Sequence, residues 1–265
     1  MGRFAGRTVV VTGSGRAKGL GQGILQRFAD EGANCVVSDV AIGEEAEGVA
    51  AELRGRGAQV AAIACDVSDP AQCDALVAQA VAAFGRIDVM VNNAGIGFMM
   101  KPLLEVVADD WARVIAVNLS GAFHCTQAAA RAMVAAGKGG RIINIASQAA
   151  KTGFPHLAAY VSSKHGMIGL TRASAVELGA HGITVNAVCP NHVTTALGAE
   201  QNAYFSKLLG FASVEAYLAN MAAKNPMGRP GLPSDTAAAC AWLASEDAFY
   251  VTGEAINVSG GEEMH

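Results

Sequence analysis

Residues 8–39 read TVVVTGSGRAKGLGQGILQRFADEGANCVVSD, and this stretch decides the fold. A β-branched run, 8–12, predicts a strand buried on both faces. A glycine-rich turn follows at 13–21, then a helix over 22–31 stopped by Gly32, then a second strand over 34–38. A tight turn that opens a helix directs backbone N–H groups and the positive end of the helix dipole at one point, which is where a pyrophosphate binds. Asp39 closes the second strand. A carboxylate there accepts hydrogen bonds from ribose hydroxyls and repels a 2′-phosphate, so NAD is the expected cofactor. Against this, Arg16 and Lys18 in the turn are a signal for NADP, and an aspartate is also an ordinary turn residue.

The alternation continues outward. Strand patterns recur at 59–64, 88–91, 141–146 and 184–189, with a short last one at 255–258, and helical patterns lie between them. Strands alternating with helices of this length predict an α/β protein with a parallel sheet covered on both faces. We find no linker and expect a single domain over 1–265. The segment 191–225 is helical in pattern, carries no strand, and opens directly after a predicted strand end, so it is expected to cover the site.

A second stretch carries the chemistry. Residues 141–169, RIINIASQAAKTGFPHLAAYVSSKHGMIG, join a buried strand to a polar turn at Ser147 and then to a helix from about Leu157. Tyr160 and Lys164 fall one turn apart, with Cβ atoms ~5–6 Å apart. An ammonium beside a phenol favours the phenolate and makes the tyrosine a general acid/base. The pair alone is equally compatible with a half-buried ring beside a solvated stem. Ser147, thirteen residues upstream at a strand end, weighs for chemistry.

At these residues the chain resembles the classical short-chain dehydrogenase/reductase family: Tyr160-x-x-x-Lys164, Ser147 upstream, and Asn92-Asn93-Ala94-Gly95. The resemblance spans nearly the whole chain. It implies a Rossmann-type doubly wound sheet of seven parallel strands, order 3-2-1-4-5-6-7. It also implies hydride transfer between a secondary alcohol and its ketone, with Asn118, Ser147, Tyr160 and Lys164 as the catalytic set. Tyr160 would exchange the proton, Ser147 hold the reacting oxygen, and Lys164 lower the Tyr160 pKa while binding the nicotinamide ribose. Asn118 would kink its helix and hold a water that links Lys164 to solvent. Without the resemblance, an asparagine in that helical pattern reads as a solvent-facing side chain.

The cofactor contacts so implied are Gly13, Gly15, Gly19, Leu20 and Gly21 on the phosphates, Asp39 on the ribose, and Asp66 and Val67 near the adenine. Asn93, Ala94 and Gly95 would line the cofactor, and Pro190, Val193 and Thr195 the nicotinamide. Asp66 reads equally as a helix cap before Pro70, and Thr194 is an alternative to Thr195. Two departures stand out. Five residues separate Gly13 from Gly19 where the family has three, a spacing similar to the enoyl-reductase branch, although the Tyr-to-Lys spacing is the classical one. Asn191 replaces the glycine of a Pro-Gly turn, and asparagine tolerates the left-handed conformation that such a turn uses.

Gln148, Lys151, His156 and His192 are expected near the site mouth, and Gln148, His156 and His192 are the candidate substrate contacts; solvated loop residues are the plain alternative. Other readings are an NADPH-dependent reductase of 3-oxoacyl thioesters and a dinucleotide-sensing regulator without catalysis, since fold alone does not fix function.

Composition narrows the partners. A net charge of -4 with no basic run gives no footprint for nucleic acid. No segment approaches the ~20 apolar residues of a membrane span. The first strand begins near Arg7, so no signal peptide is expected. Six cysteines without C-x-x-C spacing read as buried thiols in the cytoplasm. Scattered histidines support no metal site. With 52% hydrophobic and only 16% charged residues, and helices apolar beyond one stripe at about 109–136 and around Ala173 and Val176, the chain is expected to form a homotetramer.

Overall fold

The structure is a computed structural model that describes residues 2–97 and 99–264, apart from the side chains of Ala196 and Leu197. Strands β1 (Thr8–Thr12), β2 (Asn34–Asp39), β3 (Val60–Ala64), β4 (Val89–Asn92), β5 (Gly140–Ile145), β6 (Ile183–Pro190) and β7 (Ala255–Val258) form one sheet. Their order is β3-β2-β1-β4-β5-β6-β7, and every pairing is parallel. Helices α1 (Leu20–Asp30), α2 (Glu44–Gly55) and α9 (Pro233–Ala244) cover one face. Helices α3 (Pro70–Phe84), α5 (Gly121–Ala136) and α6 (Ala158–Leu178) cover the other.

The period-2 alternation of a strand explains the two cores. Val9 and Val11 pack with Ile24, Leu25 and Phe28 of α1 on one side, while Val10 faces Leu76 of α3 and Met90 on the other. All five residues of β1 are buried, and each fully buried Val, Leu, Ile or Phe contributes roughly 1.5–3 kcal/mol. The sheet is therefore rigid where it presents its carboxyl ends. β1 pairs with β2 on one side and β4 on the other, so the chain leaves these two strand ends in opposite directions and opens a crevice between them.

Local signals set the ends. Asp69 accepts from Ala71 N at 2.9 Å and Pro70 occupies the first turn, so α3 starts there; Gly85, at φ 78, stops it. This corrects one alternative for Asp66: the cap before Pro70 is Asp69, because only its carboxylate reaches the free N–H of the first turn. α1 begins at Leu20, two residues before the expected start, since Gly19 is the N-cap.

The pattern at 109–136 is not one regular helix. It comprises α4 (Ala108–Ile115), a five-residue π-turn (Ala116–Ser120) and α5. The segment 191–225 folds as α7 (Ala196–Leu208) and α8 (Val214–Lys224), entered through a single bridge between Val193 and Gly231. Among the described residues no helix is long and apolar enough to cross a membrane, and no His, Cys, Asp and Glu cluster could hold a metal. All six cysteines are buried and free.

Candidate active site

Ser147 follows the end of β5 in extended conformation, and its Oγ accepts from Ala149 N at 3.1 Å. That contact starts a short 3₁₀ turn and fixes the hydroxyl beside the first turn of α6. There Tyr160 meets it: burial pushes the Tyr160 phenol above its ordinary value, and a hydrogen bond with Ser147 offsets only part of that rise. Lys164, one turn later, is 4% exposed, and its Nζ donates to Ile145 O at 2.7 Å. The ammonium lies 5.7 Å from the centroid of the Tyr160 ring. Burial brings the Lys164 pKa down to about 8, against an opposing effect of Cys189. The spacing rule therefore holds: the tyrosine and the lysine meet on one face of α6. The lysine is itself desolvated and committed to a backbone carbonyl.

Asn118 is fully buried in the π-turn, not solvent-facing. Its Oδ1 accepts from Ile96 N at 2.8 Å, while Nδ2 donates to Ile96 O at 2.9 Å and Ser163 Oγ at 3.1 Å. Ser163 Oγ in turn donates to Tyr160 O at 2.7 Å. The wide turn admits the amide inward, and the amide ties the loop after β4 to the helix that carries Tyr160. A Cβ on Gly95 would stand 3.4 Å from Asn118 Oδ1 and 3.8 Å from Lys164 Nζ, so glycine keeps the space between them open.

The glycine turn has the form a dinucleotide needs. A Cβ on Gly13 would meet Ala94 Cα at 2.7 Å, and one on Gly21 would meet Ser14 Cα at 2.7 Å. The extra residues are absorbed by a bend in which Lys18 adopts φ 57 and Gly19 N donates to Arg16 O at 3.2 Å. Gly19 still caps α1, without a side-chain acceptor and with no acidic residue in the first turn. The N–H groups at Leu20 and Gly21 thus retain their pull on an anion. These features fit a bound pyrophosphate.

Asp39 is half-buried, its Oδ2 accepting from Gly15 N at 3.0 Å and Oδ1 from Val40 N at 2.9 Å. The charge is therefore fixed at the edge of the turn, while Arg16 and Lys18 are exposed. Asp66 lies beyond β3, its Oδ1 accepting from Ser68 N at 2.9 Å; Val67 beside it is buried against Gly121. Asn93 turns its amide to Thr12 O and Gly13 O, both at 2.9 Å, and Asn92 bonds Asn144 Oδ1 at 2.7 Å. These two amides brace strand ends, and the backbone at Ala94 and Gly95 is what borders the crevice.

Past Pro190, the left-handed turn expected at Asn191 is absent, because among the described non-glycine residues only Lys18 and His156 have positive φ. Asn191 Nδ2 instead donates to Ser259 O at 3.0 Å and Glu262 Oε2 at 2.7 Å, so the side chain anchors the turn. Val193 forms the bridge to Gly231, Thr194 is exposed, and Thr195 caps α7 through Gly198 N at 3.3 Å.

The expected substrate contacts are engaged within the protein. Gln148 Nε2 donates to Glu263 Oε2 at 2.8 Å, and Thr152 Oγ1 donates to Glu263 Oε1 at 2.9 Å. His156 Nδ1 meets Tyr204 OH at 2.7 Å. Burial pushes the His192 imidazole down, with Glu262 opposing, and the ring packs edge-on against Tyr217. Lys151 Nζ donates to Ala255 O at 2.7 Å. The sequence reading missed Gln201, Tyr204, Glu262 and Glu263. The first two lie three apart on one face of a helix already expected over the site, which was a usable signal; nothing in the sequence placed the tail.

A family model described as enoyl-(acyl carrier protein) reductase matches residues 13–263. The L-2,3-butanediol dehydrogenase of Corynebacterium glutamicum is 39% identical over 256 residues, covering 96% of this chain and 98% of that one. The sorbitol dehydrogenase of Cereibacter sphaeroides is 36% identical over 262 residues, 99% of each. The crystal structure of NAD+-bound xylitol dehydrogenase superposes with a TM-score of 0.91 at 31% identity, covering 97% of this chain and 99% of that one.

Proposed function

The chain belongs to the short-chain dehydrogenase/reductase family, and on that premise we propose that it interconverts a secondary alcohol of the polyol or diol type and its ketone with NAD. The observation that carries this reading is the grouping of Ser147, Tyr160 and Lys164 beyond the end of β5, next to Gly95 and Asn118. When bound, the cofactor would supply the hydride acceptor in oxidation, as NAD, and the hydride donor in reduction, as NADH. Tyr160, as phenolate, takes the proton of the substrate hydroxyl while its carbon gives up hydride, so the alcohol becomes a ketone. Ser147 Oγ donates to the reacting oxygen. Lys164, its ammonium 5.7 Å from the centroid of the Tyr160 ring, would favour the phenolate and hold the nicotinamide ribose. Asn118 holds the loop and helix that set this geometry, and the space at Gly95 leaves room for a water between it and Lys164.

Gly13, Gly15, Gly19, Leu20 and Gly21 would hold the pyrophosphate, Asp39 the adenosine ribose, Asp66 and Val67 the adenine. Ala94, Gly95, Pro190, Val193 and Thr195 would flank the nicotinamide side. Preference for NAD is supported by the fixed carboxylate of Asp39. Six free, buried cysteines favour a reducing compartment, the cytoplasm, which cell fractionation would test.

A homotetramer is supported by two sets of exposed apolar residues: Trp111, Phe123, Val134 and Val176 on α4 to α6, and Trp242 on α9 with Phe249 and Tyr250 in the segment that follows it. Ala128, Ala129 and Ala130 of α5 are buried within the chain and take no part in this surface. The test of function is turnover of a panel of diols, polyols, hydroxy acids and 3-oxoacyl thioesters with NAD and NADP. Oxidation of diols or polyols with NAD is the expected outcome, and reduction of thioesters alone would reverse the reading.

A further inference from the structure

α7 brings Gln201 and Tyr204 to the site on one face. Tyr204 is pinned by its 2.7 Å contact with His156, whose carbonyl accepts from Lys101 N at 3.0 Å. This joins α7 to the loop leading into α6 and fixes where Gln201 stands. Gln201 Nε2 is 3.0 Å from the point a Cβ on Gly97 would occupy. Cε2 and Cδ2 of Tyr160 are 3.4 and 3.5 Å from the same point. The amide nitrogen and the edge of the phenol ring therefore both border the space that glycine leaves open.

Around it, Ser147, Gln148, His156, Lys164 and Asn118 all have hydrogen-bond partners in the chain. The half-buried side chain of Gln201 has none among the described residues. A primary amide offers two donors and an acceptor, and leaving it unpaired once a substrate excludes water is costly. The reacting oxygen belongs at the phenol oxygen, and the amide stands near the edge of the same ring. An oxygen on the next carbon of a bound substrate would be the group for such an amide to hydrogen-bond.

We propose that Gln201 is a specificity-determining residue that hydrogen-bonds the oxygen adjacent to the reacting centre, so that the substrate class is a vicinal diol or its α-hydroxyketone. This rests on the alcohol–ketone activity proposed above. The experiment compares wild type and Gln201→Leu with butane-2,3-diol and butan-2-ol, using NAD. In the variant, kcat/KM for the diol falls about tenfold, the loss of one hydrogen bond to a substrate hydroxyl. That for butan-2-ol changes less than twofold, and the KM for NAD is unchanged. Retained butan-2-ol turnover also shows that the variant is folded. Equal losses on both alcohols, no loss on the diol, or a raised KM for NAD would overturn the role of Gln201 and leave the activity standing. A wild type inert towards every diol, polyol and secondary alcohol would overturn the activity itself, and this assignment with it.

Discussion

Replacing Lys164 by methionine should abolish turnover and yet make the fold more stable at neutral pH. The side chain is 4% exposed, and burial takes its pKa from an ordinary 10.5 to about 8. Where the lysine is charged in both folded and unfolded chains, that shift costs the fold about 3 kcal/mol. Methionine has a similar unbranched stem and no charge. It gives up the hydrogen bond to Ile145 O, a loss of about 1 kcal/mol, so the net gain at pH 7 is about 2 kcal/mol.

The sign with pH follows from the lowered pKa. The penalty is full below about pH 8, shrinks between pH 8 and 10.5, and vanishes above, where lysine is neutral in both states. Wild type therefore gains on the variant as pH rises, and at pH 9.5 the difference should fall to about 0.5 kcal/mol. Urea unfolding of both proteins at one protein concentration, at pH 7 and 9.5, measures it. A variant less stable than wild type at pH 7, or a difference independent of pH, would refute the reasoning that Lys164 is held at the site against the stability of the fold.

Asp39→Asn keeps an oxygen for Gly15 N but removes the charge, so kcat/KM with NADP relative to NAD should rise roughly tenfold or more, equivalent to about 1.4 kcal/mol. A wild type that already prefers NADP would show that Arg16 and Lys18 set the choice. Sedimentation at micromolar concentration should give a tetramer of the 27.0 kDa chain, and an active monomer would mean that Phe123, Val176 and Tyr250 stay exposed.

The parts of this molecule written locally were legible in its sequence. Val9, Val10 and Val11 alternate between two cores because a strand's period is two, and the run 8–12 says so without help. Tyr160 and Lys164 meet because a helix's period is 3.6. What was not legible depends on long-range partners. The π-turn at Asn118 exists because Ile96 and Ser163, 22 residues before and 45 after, receive its amide. Asn191 avoids the left-handed turn because Ser259 and Glu262 arrive from the far end of the chain. His156 reads as a loop histidine until Tyr204, 48 residues on, shows what it fastens. Helix starts were misplaced by two residues at α1 for a humbler reason: Gly19 leaves no side-chain signal at the cap.

The central claim is that Tyr160 exchanges the substrate proton during hydride transfer, and Tyr160→Phe tests it most directly. The substitution keeps the ring against Gly97 and removes only the hydroxyl that meets Ser147. Formation of NADH from a diol should fall by roughly 10²–10⁴-fold while circular dichroism and NAD binding stay as in wild type. Turnover equal to wild type in that variant would contradict the account.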